Sequence, residues 1–394
     1  MRVRVTMPLA ATAILTIFTS AHAMPVTWLD ASGFWDVATN WSSNPLLPSS
    51  GDDVTLNVVG LQTITHRTGN DTIRSISNDE IVTVTGGSVT IGGGAASANT
   101  GTLRADGGTL QINGINAITN TGGIIDARNN GSVVLNGAEI VGGTLTGSTG
   151  GTFSTVGSSV PTLVGVTIAS GAQVNVLNGN LQLQGTTTNN GAIALDGSLL
   201  VLLGPGTLAG TGSLTLSNNA TVRGDLFSDT LTNAAGHTIR GSGTIEAPMV
   251  NGGRVSPGAS LGLLTMTQDY TQTTSGILAI ELGGLLPISQ YDRLTVLGNA
   301  SLAGSLDVDL FGGFDPTADG FFDILLASSI TGTFSTLDFP SLPQGTFGIS
   351  YLSDRVRLTF DFEGPPSQVP EPSALLLLVA GLTAVLVMRR RGAS

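Results

Sequence analysis

From residue 51 to residue 260 the chain never holds one pattern for long. Apolar-alternating bursts of three to six residues are cut repeatedly by Gly, Asn, Asp or Ser. Examples are "GTLRADGGTLQING" (101–114), "NTGGIIDARNNGSVVLNG" (120–137) and "GSLTLSNNATVRGDL" (212–226). Alternation of that length specifies short β-strands, and each interruption carries turn chemistry. Between the two ends of the chain no window of ten or more residues has a helical period. Many short strands with frequent turns suit a β-sandwich or barrel, or else a solenoid of stacked coils.

Repetition favours the solenoid. "NTGGII" (120–125), "NNGAIA" (189–194) and "NGGRVS" (251–256) read as one corner revisited. Their starts lie 69 and then about 62 residues apart, room in each case for three coils of roughly 20 to 23 residues. Gly-Thr/Ser-apolar phrases recur at 101, 108, 143, 151, 206, 212 and 243. In such a coil the inward Val, Ile and Leu stack on their equivalents above and below, so no coil buries its face alone. Asn and Gly tolerate the left-handed backbone that tight corners demand. The expected fold is therefore all-β, a right-handed parallel β-helix over 51–260.

From residue 261 to 362 the strands lengthen and hold most of the Phe and Tyr, as in "YDRLTVLGNASLAGSLDVDLFGGF" (291–314) and "FGISYLSDRVRLTF" (347–360). They suit wider final coils or a more sandwich-like β region closing the open edge. At the other end, residues 24–50 contain all three tryptophans, Trp28, Trp35 and Trp41. They read as a hydrophobic plug over the first coil; the alternative is a platform that stacks on sugars.

Both termini carry signals. Arg2 and Arg4 precede an apolar run, Leu9 to Phe18, and Ala21-His22-Ala23 gives a small-x-small cleavage pattern, so 1–23 reads as an export signal. With no cysteine, the exported body has no disulfide framework and must rely on packing and backbone ladders. Residues 24–369 keep 10 arginines against 26 acids, a net charge near −16, which disfavours nucleic acid and anionic lipid as partners. At the C-terminus a linker (363–372) ends in Val369-Pro370-Glu371-Pro372. An uncharged segment (373–388) and the basic tail 389–394, with Arg389, Arg390 and Arg391, follow. Sixteen residues span roughly 24 Å as a helix, slightly short of a bilayer's hydrocarbon core, a deficit that snorkelling arginines can cover. The arginines belong on the cytoplasmic side.

Those three parts, in that order and at the very end, resemble the sorting signal of PEP-CTERM exported bacterial proteins. The resemblance implies an exosortase-type membrane transpeptidase as partner, tethering in the inner membrane before processing, and a destination at the cell surface or in an exopolysaccharide matrix. The body is similar to the β-helical passengers of autotransporter-like proteins, through "GFWDVATNWSSNPLLPSSGDDVTL" and the Ser-Pro-Gly corner at 256–258. No outer-membrane barrel pattern follows it here, which excludes self-translocation by that route.

A catalytic role finds little in the sequence. Between 90 and 250 the acids are scattered singly beside turns: Asp106, Asp126, Glu139, Asp196, Asp225, Asp229 and Glu246. Polysaccharide hydrolysis needs a carboxylate pair, which neighbouring coils could still assemble. His66 and His237 are too far apart for a zinc motif. Asp315, Asp319 and Asp323 fall within nine residues and are weak calcium candidates, without EF-hand spacing; no other cofactor is expected. The sequence thus points to an exported, non-catalytic surface or matrix protein. A β-helical polysaccharide lyase or hydrolase and a glycan-binding adhesin are the alternatives.

Overall fold

The computed structural model describes residues 24–364, apart from Ile115 and Asn178. The export signal, the sorting motif Val369–Pro372, the apolar segment 373–388 and the arginine tail lie outside the described residues. Contacts divide the chain into two compact units after Phe153. Each is a parallel β-solenoid.

In the first unit each coil after the N-terminal turn, which has two strands, lays down three short strands, one on each of three faces. One coil consists of Ser75–Asn78, Ile81–Val84 and Ser88–Ile91, the next of Ser97–Asn99, Thr102–Asp106 and Thr109–Asn113. Strands of one face pair in parallel with the coils before and after. Leu103 pairs with Ile125 and Ile125 with Leu145, so successive coils take 22 and 20 residues. Period-2 alternation then decides the core: Leu103, Ala105, Leu110 and Ile112 are buried, whereas Thr102, Arg104, Thr109 and Gln111 are not. Each stacked Leu or Ile contributes about 1.5–3 kcal/mol by leaving water.

The corners are as specific as the strands. Asn129 and Asn130 hold φ of 51° and 60°, the left-handed region that short polar side chains tolerate. At Gly131, next in line, a Cβ would lie 2.3 Å from the Ala105 carbonyl oxygen of the coil below. A buried asparagine ladder runs along one edge. The Asn78 amide donates to Asn99 Oδ1 and the Asn99 amide to Asn120 Oδ1, both at 2.7 Å. Asn99 also donates to the carbonyls of Gly101 and Ile124.

The second unit repeats the plan. Val174, Ile193, Leu214, Ile239, Val255, Leu278, Leu306 and Leu337 pair in succession on one face. The last three steps take 23, 28 and 31 residues, so the texture change near 261 marks widening coils. The expectation of a sandwich-like region is corrected: parallel pairing persists to Thr336–Asp338. Antiparallel strand pairing comes at the end of the unit, Gly320–Leu326 against Arg355–Phe362 and Gly345–Tyr351 against Arg355–Phe362. This hairpin covers the edge of one face, and Phe322, Phe347 and Phe360 pack within it.

The polar ladder recurs in the second unit with other residues. Asn189 donates to His237 Nε2 (3.1 Å), and His237 Nδ1 donates to Asn233 Oδ1 (2.7 Å). Asn233 donates to Asn251, Asn251 to the Tyr270 hydroxyl, and Tyr270 to Gln272. Asn189 and Asn251 sit three coils apart along this edge, the number their spacing predicts.

Candidate functional site

The densest convergence of charged and aromatic groups in the second unit lies where its last coil meets the closing hairpin. Antiparallel register sets Asp323 opposite Arg357, and period 2 returns Arg355 to the same strand face. Arg357 grips the Asp323 carboxylate with two bonds, from Nε (2.7 Å) and Nη2 (3.0 Å), and Arg355 Nη1 adds a third at 3.2 Å. The Arg357 bonds outweigh burial and hold the Asp323 carboxyl below the usual carboxylate range. Arg355 also pairs with Asp354.

Beside this cluster, Arg293 donates through Nε to the main-chain oxygen of Asp323 (3.1 Å) and through Nη2 to the Tyr291 hydroxyl (3.2 Å). Among the described residues Arg293 forms no ion pair, although Asp323 is adjacent, because that carboxylate is already taken by Arg355 and Arg357. Tyr291, Arg293 and Asp323 line a cleft of about 440 Å³, whose other walls are Leu285, Pro287, Asp319, Gly320 and Phe321. Phe321 is 55% exposed and lies under the Arg357 guanidinium, 4.1 Å from ring centre to carbon. Leu285 is 54% exposed. The cleft therefore sets the Arg293 cation beside the exposed Phe321 ring and Leu285, with Asp319 and Asp323 also in its lining.

Behind it, Asp292 is fully buried and accepts from the Gly262 amide (2.7 Å) and the Glu281 amide (2.9 Å). Burial pushes its carboxyl up to about 7. Glu281 is raised too, by burial and then by Asp309, which register places opposite it. Asp307, on the same strand face as Asp309, is paired with Arg254 at 2.7 Å.

A second cluster occupies one face of the first unit. Asp126 accepts from Arg104 Nε (2.7 Å), Arg128 Nε (2.8 Å) and Thr146 Oγ1 (2.9 Å). Burial alone would raise its carboxyl, but those three donors prevail and hold it below the usual range. On the same strand face, register sets Asp106 opposite Arg128, diagonal to Asp126.

The residues singled out from the sequence fare differently, beginning with the tryptophans. Trp28, Trp35 and Trp41 are 3%, 0% and 0% exposed and pack edge to face, at interplanar angles of 84° and 72°. Trp41 Nε1 donates to the Trp35 carbonyl. Their faces close on one another, so the sugar-stacking alternative is corrected: none of the three rings is open to stack on. The three calcium candidates are not brought together either. Asp323 is held by two arginines, Asp319 accepts from the Phe362 amide (2.8 Å), and Asp315 accepts from Gln344. Among the described residues no cluster of three or more potential ligands could hold a metal, and no helix is long and apolar enough to cross a membrane.

The cleft itself went unrecognised in the sequence. "DRVRL" does signal two arginines on one strand face, yet only the fold shows that Asp323, some 30 residues earlier, is their partner. No protein-family model matches the chain, and no curated protein matches it.

Proposed function

We propose that this is an exported, non-catalytic surface or extracellular-matrix protein, sorted through its C-terminal signal by an exosortase-type enzyme. On this reading residues 1–23 direct export, 373–388 tether the body to the inner membrane, and Val369–Pro372 form the segment the enzyme reads. The coils wind right-handed, the hand that parallel crossovers adopt almost without exception. The observation that carries the structural part of the reading is the way the body uses its acids. Asp126, Asp307 and Asp323 are each bound by arginine, and Asp319 and Asp292 by backbone amides. Carboxylates engaged in this way stabilise stacked coils and give a stiff, acidic surface of low reactivity, which suits a place among exopolysaccharides.

The test is Glu371→Ala in the producing cell, followed by fractionation. The expected result is an untrimmed chain retained with the inner membrane. A variant trimmed and located like the parent would overturn sorting and leave an ordinary membrane anchor.

A further inference from the structure

The Arg293 cleft lies where the described chain ends. Strand Arg355–Phe362 runs antiparallel along Gly320–Leu326, and its Phe362 amide donates to Asp319 Oδ1, on the cleft wall. Two residues further on, at Gly364, the described chain stops. Beyond it comes "PPSQVPEP" (365–372), five prolines or acids in eight residues, with Glu371 between two prolines. Glu371 lies nine steps along the chain from Phe362, up to about 30 Å when extended, ample to turn back on a wall the strand already touches.

We propose that the cleft is a docking site for the chain's own Val369–Pro372 segment, with the Glu371 carboxylate on Arg293 and the flanking prolines against Phe321 and Leu285. Three observations on the molecule carry this. Among the described residues Arg293 is a cation without an ion-pair partner, in a body whose net charge is near −16. The nearest carboxylate, Asp323, is bound by Arg355 and Arg357, which leaves Arg293 to an incoming carboxylate, beside an Asp319 carboxylate that accepts from the Phe362 amide. Aromatic and apolar walls beside that cation match an extended proline-flanked peptide, the type of segment that aromatic-lined grooves bind. The tether supplies an effective concentration in the millimolar range, so an affinity too weak to matter between separate molecules suffices within one chain.

Docking has a consequence for access. While it is seated the motif is withheld from any enzyme, and release from the cleft is the step that presents it. The proposal does not rest on the sorting reading; the segment would dock whether or not an exosortase-type enzyme later reads it.

The natural absence of cysteine allows a direct test in the full chain, solubilised in detergent. Spin labels on Ser289→Cys, at the exposed rim, and Ser373→Cys, beyond the motif, report the distance between body and tail. The expected result is a single narrow distribution that broadens at least twofold in width with Arg293→Gln and equally with Glu371→Gln. None of the contacts described in the body involves Glu371, so its effect cannot come from the loss of one of them. A distribution already broad in the parent overturns the proposal, and so does a narrow one that survives both substitutions. Neither outcome bears on whether Glu371→Ala blocks sorting in cells.

Discussion

Acid should pull the second unit in two opposite directions, and one substitution should expose this. Asp292 titrates at about 7 in the fold, against an ordinary 3.8. Its folded value is raised, so its contribution to stability is full below 3.8 and is lost as pH rises through 7. At about 1.4 kcal/mol per pH unit, that span is worth roughly 4 kcal/mol. His237 does the reverse. Burial lowers it to about 4 from an ordinary 6.5. Its Nε2 accepts from the Asn189 amide, so a proton there would set two donors face to face. Stability associated with it is present above 6.5 and falls as pH drops toward 4, by roughly 3 kcal/mol. Between pH 6.5 and 4 the two nearly cancel in the parent chain. Asp292→Asn removes one of them: the parent should gain about 4 kcal/mol over the variant between pH 7 and 4. A constant offset from imperfect amide geometry leaves this slope unchanged. All three tyrosines lie in the second unit and all three tryptophans in the first, so urea unfolding can be followed separately by tyrosine and tryptophan signals. The tyrosine transition should carry the whole effect. A parent–variant difference that is constant with pH, or one seen in the tryptophan signal, would refute the reasoning.

Other substitutions test the packing. Trp35→Ala removes the centre of the aromatic plug and should cost the first unit about 3–5 kcal/mol, read by the remaining tryptophan signal. Leu214→Ala, mid-stack in the second unit, should cost about 2–5 kcal/mol in the tyrosine transition. Asn99→Ala leaves the buried Asn120 Oδ1 without its donor, removes the amide bonds to the Gly101 and Ile124 carbonyls, and should destabilise the first unit by about 1–3 kcal/mol, more than Asn116→Ala at an exposed bend. Asp126→Asn should destabilise the same unit at neutral pH. Because the folded carboxyl of Asp126 is lowered, that penalty should shrink as pH falls below 3.8, measured by acid titration of tryptophan fluorescence.

The solenoid was legible because its determinants are local and repeat. Alternation named the inward Leu103, Ala105, Leu110 and Ile112, and the Asn-Gly phrases marked corners before any pairing was known. Their meaning was only half visible. Asn120, Asn189 and Asn251 read as turn residues, whereas each is fully buried and bonded along the solenoid axis. A neighbour about one coil away leaves no trace in a short window. The same limit hid Arg104 on Asp126, 22 residues apart, and Arg357 on Asp323, 34 apart. Widening of the last coils masked the continuing parallel register, because longer strands with aromatic residues read equally well as sheets of a sandwich.

The ladders also explain how coils of unequal length keep their register. Parallel stacks of Val, Ile and Leu are nearly indifferent to which apolar residue sits on which, and a slip by one residue turns the inward set outward. A buried amide is not indifferent. Asn99 fits only where Asn78, Asn120 and the carbonyls of Gly101 and Ile124 surround it, and any slip leaves these buried groups unpaired at a cost of several kcal/mol. The first unit makes this clamp from asparagine alone, which does not titrate. The second passes through His237, where the ladder needs an acceptor that asparagine's amide nitrogen cannot provide: Nε2 takes the Asn189 proton while Nδ1 gives one to Asn233. That substitution joins Asn189 to Asn233 across a coil whose residue paired with Asn233, Leu208, can do neither. It also makes register in the second unit depend on a neutral imidazole.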